Sequence, residues 1–382
     1  MKINPWRIGA LAGLTAILIG IFVFILHSGS IEQRDFISYW AAGHQLVHGA
    51  DPYDGAAIRE MEHAAGYDQG YRLIMRNPPA ALFLVVPLGF LAPNTALLFW
   101  MIALVASLVA SIRLLWILNG RRPDRLQLLG YCFAPVMACL MAGQFGIFLL
   151  LGAVLFLYFH KSRPALAGAA LLLCAAKPHL LLPFGAVLLL WIFIQKAYRI
   201  LAGFCAALFA SCALAFCFDV HVWAQYLSGM RAERVMDEFI PTMSVFLRLV
   251  LHRDAVWLQF LPEAVACLWA LWYFWTRRNR WDWMDQGLLL LLVSVLCAPY
   301  AWFTDEAILL PAVLAGIYRA DDAGRSLLPF GFLAGAAMIE LFAKVQMTSG
   351  FYVWTVPAWL AWYLYATGNK RTETKDAHKS AA

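Results

Sequence analysis

The chain has 382 residues, of which 63% are hydrophobic and only 14% are charged, and its formal net charge is +6. Soluble domains average about 45–50% apolar and about 25% charged residues, so the composition excludes a soluble protein or a tethered soluble enzyme and indicates an integral membrane protein. The basic residues are spread over short connections between apolar runs, which argues against a nucleic-acid partner.

The apolar runs predict an all-α fold, a polytopic transmembrane helical protein with about twelve spans and a range of about ten to thirteen, since a span needs about 20 apolar residues. They form one domain over residues 1–366, and the polar tail, 367–382, is predicted to be disordered. The first run follows Lys2 and Arg7 as in a signal peptide, but its length and the lack of a cleavage site favour a retained helix. The predicted spans are residues 8–26, 95–117, 126–142, 147–160, 164–176, 180–195, 200–217, 255–276, 284–300, 306–318, 326–343 and 353–366.

Polar residues interrupt this pattern at Gly143-Gln144 and at Lys177-Pro178-His179. The apolar segment 78–91 could be a half-helix, an additional span or a lid. No internal repeat is evident, which weakens the case for a transporter built from inverted repeats.

The distribution of basic residues predicts the orientation in the membrane. If the spans alternate, 18 of the 29 basic residues fall on one side together with both termini, and the positive-inside rule makes this side cytoplasmic. The loops 27–77 and 218–254, the two polar breaks and the turn at 302–306 then face outward. We therefore expect the chemistry on the outer side.

The first outer loop begins with an amphipathic pattern over residues 33–47, which predicts a helix lying in the membrane interface. A turn follows at Gly49–Tyr53, and Arg76-Asn77-Pro78-Pro79 leads back into the membrane. Asp35 has two interpretations. It could cap the interfacial helix and pair with a neighbouring arginine, or it could be a general base at the membrane surface.

Seven elements of the sequence follow one another on the predicted outer side: Asp35, Tyr39, Gly49–Tyr53, Asn77–Pro79, Gly143-Gln144, Lys177-Pro178 and Pro299–Asp305. In their order and common outward side, they resemble glycosyltransferase family 87, the polytopic GT-C enzymes related to polyprenyl-phosphate-mannose-dependent α-mannosyltransferases. The resemblance spans roughly residues 5–320.

This resemblance implies an inverting transfer of a hexose, such as mannose, from a polyprenyl-phosphate donor to a lipid or glycan acceptor at the periplasmic face of the inner membrane. Asp35 would be the catalytic base. Lys177 and His179 would meet the donor phosphate, because ionisable residues inside apolar segments are costly and usually functional. Snorkelling of Lys177 and a core role for His179 are the structural alternatives. The expected substrate-binding residues are Tyr39, Arg76, Asn77, Gln144, Lys177, His179, Trp302 and Asp305.

We expect neither a metal nor another cofactor. The outer side lacks a D-x-D or E-x-D pair, with which enzymes that use diphosphate donors commonly hold a divalent ion. His44 and His48, one helical turn apart, could share a metal ion, but the sequence offers no third ligand at a useful spacing. Asp305 and Glu306 could hold sugar hydroxyls or pair with Lys177.

Two other functions are compatible with the composition. A transporter or lipid flippase would use the same charges along a path near the bilayer midplane, whereas an enzyme would hold them at helix ends on one face. A scaffold for other membrane enzymes explains the spans but not the polar motifs on one side.

Overall fold

The computed structural model describes residues 35–67, 73–232, 240–343 and 350–368. Helices account for most of these ranges, and no strand occurs within them, which confirms the all-α prediction. The predicted first span, 8–26, lies outside the described residues, as does the predicted tail beyond residue 368.

Sixteen α-helices follow one another in the described residues, numbered here in chain order. The first eight are α1 (Phe36–Val47), α2 (Gly55–Ala64), α3 (Val86–Gly89), α4 (Pro93–Leu118), α5 (Ala134–Ala142), α6 (Gly146–Phe159), α7 (Pro164–Cys174) and α8 (Leu182–Ile194). The other eight are α9 (Tyr198–Phe218), α10 (Val222–Ala232), α11 (Met243–Leu251), α12 (Leu261–Arg277), α13 (Leu288–Cys297), α14 (Leu310–Asp322), α15 (Leu328–Phe342) and α16 (Thr355–Thr367).

Short 3₁₀ helices and one π-helical turn connect several of these α-helices. The 3₁₀ helices are Pro79–Leu84, Leu126–Cys132, Pro178–Leu181, Val256–Gln259, Arg278–Arg280, Phe303–Leu309 and Gly350–Trp354, and the π-helical turn is Trp283–Gly287. Proline begins many of the elements, because it lacks the N–H that a helix start leaves without a partner. Segment 78–91 contains two short helices, so it forms no additional span.

Three helices of the described residues are long and apolar enough to cross a membrane: Pro93–Leu118, Tyr198–Phe218 and Val256–Arg280. Shorter apolar helices occupy positions where further spans are predicted, including Gly146–Phe159 and Leu328–Phe342. The protein is therefore a helical membrane protein, and the number of twelve spans stays a prediction.

The chain divides into two compact units. Among the described residues, the first unit comprises 35–67, 73–106, 138–145 and 210–232, and the second comprises 107–137, 146–209, 240–343 and 350–368.

In the first unit, α1 packs closely against α3. A Cβ atom at position 43 would lie 2.4 Å from Val85 O, and one at position 89 would lie 2.2 Å from Gly43 O, so only glycine allows this approach. Nine of the twelve residues of α1 are buried. The predicted helix is present. Its spacing predicts that only one face is buried, but small residues let α1 pack closely against its neighbours, so most of the helix surface is buried.

In the second unit, aromatic side chains form a buried cluster between helices. Phe156 of α6 and Phe184 of α8 both pack against Trp283, with ring centroids 5.1 and 5.0 Å apart respectively. Phe156 and Trp283 are at most 1% exposed. Such rings bury large apolar areas, so this cluster stabilises the packing of short helices.

Two pairs of connections that the charge pattern places on the same side meet in this unit. Arg122, in the connection after α4, forms ion pairs with Asp321 and Asp322 at the end of α14. Lys161, after α6, pairs with Asp282 at 3.0 Å. Burial alone would raise the pKa of the Asp282 carboxyl, but hydrogen bonds from Lys161 and a backbone N–H lower it. Both contacts join connections that the charge pattern assigns to one side, and the alternation of spans stays a prediction.

The span containing α12 has an outward face of large apolar side chains. Trp257, Leu268, Trp272 and Trp275 are 65%, 71%, 61% and 53% exposed. A face of this kind suits contact with lipid, with tryptophan enriched near the membrane–water interfaces.

Candidate active site

In the first unit, the carboxylate of Asp35 is held by the side-chain amide of Gln144. Asp35 occupies the N-cap position of α1, yet within the described residues its side chain makes no capping hydrogen bond. Instead, Oδ2 accepts a short hydrogen bond from Gln144 Nε2. The hydroxyl of Tyr39 donates to Gln144 Oε1 at 2.5 Å. Both polar ends of the amide are therefore engaged, and Gln144 links Tyr39 to Asp35.

The break between α5 and α6 places Gln144 in this position. Gly143 has a φ of +70°, a backbone conformation that residues with a Cβ atom rarely adopt. A Cβ atom at this position would also lie 2.9 Å from Phe36 Cβ. The carbonyl of Gly143 accepts a 2.7 Å hydrogen bond from Trp100 Nε1. The predicted Gly143-Gln144 break is confirmed, and it serves to turn the glutamine toward α1.

Tyr39 itself is packed among aromatic rings. It is 4% exposed, with ring centroids 4.4 Å from Phe145 and 5.8 Å from Trp100. Its burial and its bond to Gln144 point to an orienting role more than to stacking on a ligand. The sequence did not single out Trp100, because a tryptophan within a long apolar run carries no distinguishing pattern.

The turn at Gly49–Tyr53 is tied to the segment that contains Asn77. Asp51 Oδ1 accepts from Tyr53 N–H at 2.8 Å, which confirms the turn, and the Tyr53 hydroxyl donates to Asn77 O at 3.0 Å. Burial raises the pKa of Asp51 and raises that of Tyr53 well above its usual value. Asn77 is 3% exposed, and the adjacent Arg76 is half-buried.

In the second unit, Lys177 and Asp305 form a buried ion pair. Lys177 Nζ lies 2.6 Å from Asp305 Oδ1, and the side chains are 12% and 1% exposed. The other carboxylate oxygen accepts from Trp302 N–H at 3.1 Å. Pro178 starts a new helix directly after Lys177 and so creates the predicted break. Of the two acidic residues weighed as partners of Lys177, Asp305 is the partner observed.

His179 lies beside this ion pair in the sequence and stacks on Tyr300, with ring centroids 3.8 Å apart and planes inclined by 29°. Its Nε2 atom is buried and has no hydrogen-bond partner among the described residues. The role of this nitrogen toward a ligand stays a prediction. Tyr300 belongs to the Pro299–Asp305 motif, but the sequence does not distinguish it from the other aromatic residues on the predicted outer side.

Glu306 belongs to a different set of contacts from Asp305. Its Oε1 accepts a 2.5 Å hydrogen bond from Thr355 Oγ1, and the residue is 3% exposed. No sequence pattern connected these two residues, because Thr355 is a single hydroxyl at the start of the last apolar run, about 50 positions further along the chain. Within the described ranges, no three histidine, cysteine or acidic residues are grouped so that they could hold a metal ion.

The expected site residues thus fall into two groups. Asp35, Tyr39 and Gln144 meet in the first unit, where Asn77 is held by the Tyr53 turn. Lys177, Asp305 and the backbone of Trp302 meet in the second. A single cluster that contains both groups stays a prediction.

These features define a helical membrane protein with ionisable and amide side chains held at breaks between apolar helices, as in an integral-membrane enzyme. The family model of glycosyltransferase family 87 matches residues 76–299, more than half of the 382-residue chain. The chain belongs to this family and is a glycosyltransferase. The match includes Gln144 and Lys177, whereas Asp35 and Asp305 lie outside it. No curated protein and no solved structure matches the chain.

Proposed function

We propose that this glycosyltransferase transfers a hexose, with mannose as the first candidate, from a polyprenyl-phosphate donor to a lipid or glycan acceptor. The transfer inverts the anomeric configuration and takes place at the periplasmic face of the inner membrane, in a GT-C fold with both termini in the cytoplasm. The observation that supports it most directly is the Asp35 carboxylate, which is oriented by Gln144 and not consumed as a helix cap.

In this mechanism Asp35 removes the proton of the acceptor hydroxyl as that oxygen attacks the anomeric carbon. The lipid phosphate leaves from the opposite face of the sugar, so a single carboxylate base suits inversion. A positioned base accelerates such a step by about 10²- to 10⁴-fold. Tyr39 acts through Gln144, and both are positioning residues for the base.

The leaving phosphate gains charge in the transition state and needs donors close by. An ammonium group has three donors, so the bond from Lys177 to Asp305 leaves donors for phosphate oxygens. The buried Nε2 of His179 offers another polar contact. Arg76 and Asn77 supply further groups for the donor, and the ring of Trp302 provides a surface for the sugar.

The test is transfer of labelled mannose from a synthetic polyprenyl-phosphate donor to membrane lipid extracts by purified protein. Wild type, Asp35→Asn and Glu60→Gln are compared, with and without EDTA. Glu60 is an exposed carboxylate in α2 of the same loop, so its variant controls for a change of charge.

We expect product with wild type and Glu60→Gln, also in EDTA, and a loss of about 10²-fold or more with Asp35→Asn. Wild-type rates in a folded Asp35→Asn protein would refute the base assignment. Transfer from a nucleotide sugar but not from the lipid phosphate would refute the proposed donor.

A further inference from the structure

Two histidines at the end of α1 have no part in the proposed chemistry, and their rings lie against each other. The centroids of His44 and His48 are 4.0 Å apart, with planes inclined by 38°. His44 is half-buried and His48 is exposed, so solvent reaches the pair. Side chains four residues apart lie on the same face of a helix, which accounts for the contact.

Each ring directs Nδ1 at a backbone carbonyl oxygen. The distance is 3.1 Å from His44 Nδ1 to Gly89 O and 2.7 Å from His48 Nδ1 to His44 O. A carbonyl oxygen can only accept, so Nδ1 must carry the proton in both rings. In a neutral imidazole this leaves the lone pair on Nε2.

This pattern of hydrogen bonds is the one that prepares histidines to bind metal ions. A metal-bound histidine usually donates its other ring N–H to a carbonyl or carboxylate, which fixes the tautomer and the ring orientation. Two imidazoles on one tetrahedral ion, each with a metal–nitrogen distance of about 2.0 Å, have their centroids about 5 Å apart. The free pair therefore already has the tautomer that a bound pair needs, and its rings, 4.0 Å apart, must separate by about 1 Å to bind one ion.

The position of His44 is determined by the packing of α1. Trp40 Nε1 donates to Leu91 O at 2.9 Å, and its ring centroid lies 5.4 Å from that of His44. Gly43 packs directly on the backbone of Gly89, whose carbonyl orients His44. A histidine side chain that is already held in its metal-binding orientation loses little conformational freedom when the ion binds.

We propose that His44 and His48 form a binding site for a divalent transition-metal ion of the kind that imidazole prefers, Zn²⁺ or Cu²⁺. Both ions bind neutral imidazole through either ring nitrogen, and here Nδ1 faces a carbonyl oxygen, which leaves Nε2. The described residues contain no third histidine, cysteine or acidic residue grouped with this pair, so water completes the coordination and the ion is exchangeable. Binding clamps the last turn of α1 and stabilises the folded first loop. This site is separate from the donor and base residues and does not depend on the proposed transfer.

The experiment uses the full-length protein in detergent, without an affinity tag and after treatment with a chelator. Zn²⁺ is titrated calorimetrically into wild type, His44→Gln, His48→Gln and the control His252→Gln, an exposed histidine elsewhere in the chain. We expect wild type and His252→Gln to bind one ion at this site. Each of the other two variants should bind at least about tenfold more weakly, as for other losses around metal sites. Zn²⁺ should raise the melting temperature of wild type and of the control only.

A second measurement does not depend on the folding of the variants. With one equivalent of Cu²⁺, the electron paramagnetic resonance spectrum of wild type should show hyperfine coupling to two imidazole nitrogens. Coupling to one nitrogen or none would overturn the proposal, and so would equal Zn²⁺ affinities of wild type and His48→Gln. Because His48 is exposed, its substitution should leave the fold intact, and the comparison stays decisive.

Discussion

Replacing Gln144 by leucine removes the link between Tyr39 and Asp35 while it keeps a side chain of similar size. Gln144 is 9% exposed, so little water is available to replace the lost bonds. The change removes the 2.5 Å hydrogen bond from Tyr39 and the hydrogen bond to the Asp35 carboxylate. The substitution should therefore affect both the stability and the orientation of the proposed base.

The magnitude follows from the two bonds. A hydrogen bond to a charged group contributes about 1.5–3 kcal/mol and a neutral one about 0.5–1.5 kcal/mol in soluble proteins. Polar contacts between transmembrane helices average only about 0.6 kcal/mol. We expect the free energy of unfolding to fall by about 1–4 kcal/mol. A base that samples other rotamers should also lower the rate constant of transfer, by about tenfold for each 1.4 kcal/mol of lost orientation.

Thermal unfolding in detergent and initial transfer rates test both effects on the same preparation. Gln144→Glu is the informative companion, because its carboxylate can still accept from Tyr39 but repels Asp35. A like charge raises the pKa of a carboxyl group, so the acidic limb of the pH–rate profile should move to higher pH in Gln144→Glu. An unchanged melting temperature, transfer rate and pH profile in both variants would refute this account of Gln144.

Three further outcomes follow from the structure. Gly143→Ala should lower the free energy of unfolding by about 1–3 kcal/mol, measured by thermal or denaturant unfolding, because its positive φ and the nearby Phe36 leave no room for a methyl group. Gly43→Ala should expose the outer loop to limited proteolysis, since its methyl group would overlap the backbone against which α1 packs. Asp282, whose pKa lies below its ordinary value of 3.8, should stabilise the fold above about that pH. The difference in free energy of unfolding between wild type and Asp282→Asn should therefore disappear as the pH falls and the Asp282 carboxylate is protonated. The difference between wild type and Lys161→Met should disappear over the same pH range.

The helix breaks were predictable because glycine and proline have backbone restrictions that act locally. The Gly143-Gln144 and Lys177-Pro178 breaks both lie where the sequence predicts them. The burial of α1 was not predictable from its spacing, because that burial depends on close contact with α3, a segment about 40 residues further along the chain.

For the candidate site, residue chemistry predicted the groups but not most of their partners. Asp35 and Gln144 were both named, yet their hydrogen bond joins residues 109 positions apart. Lys177 and Asp305 were considered as a pair because a buried charge needs a partner of opposite sign. The partner of Glu306 could not be predicted in this way, because many hydroxyl groups besides that of Thr355 could donate a hydrogen bond to a carboxylate.

The exposed tryptophans of the α12 span have a consequence for the lipid that surrounds the protein. Trp257 lies in the 3₁₀ helix before α12 and Trp275 lies near the end of α12, 18 positions further on. At about 2.0 Å per 3₁₀ residue and 1.5 Å per α-helical residue, a continuous span would separate them by about 27–29 Å. The hydrocarbon layer of a bilayer is about 30 Å thick, so this pair matches its two boundaries closely. The distance between the two tryptophans therefore indicates the hydrocarbon thickness that suits this span. A bilayer with longer acyl chains would be thicker than this distance and would have to thin around the protein, whereas a thinner bilayer with shorter chains would cause the helix to tilt.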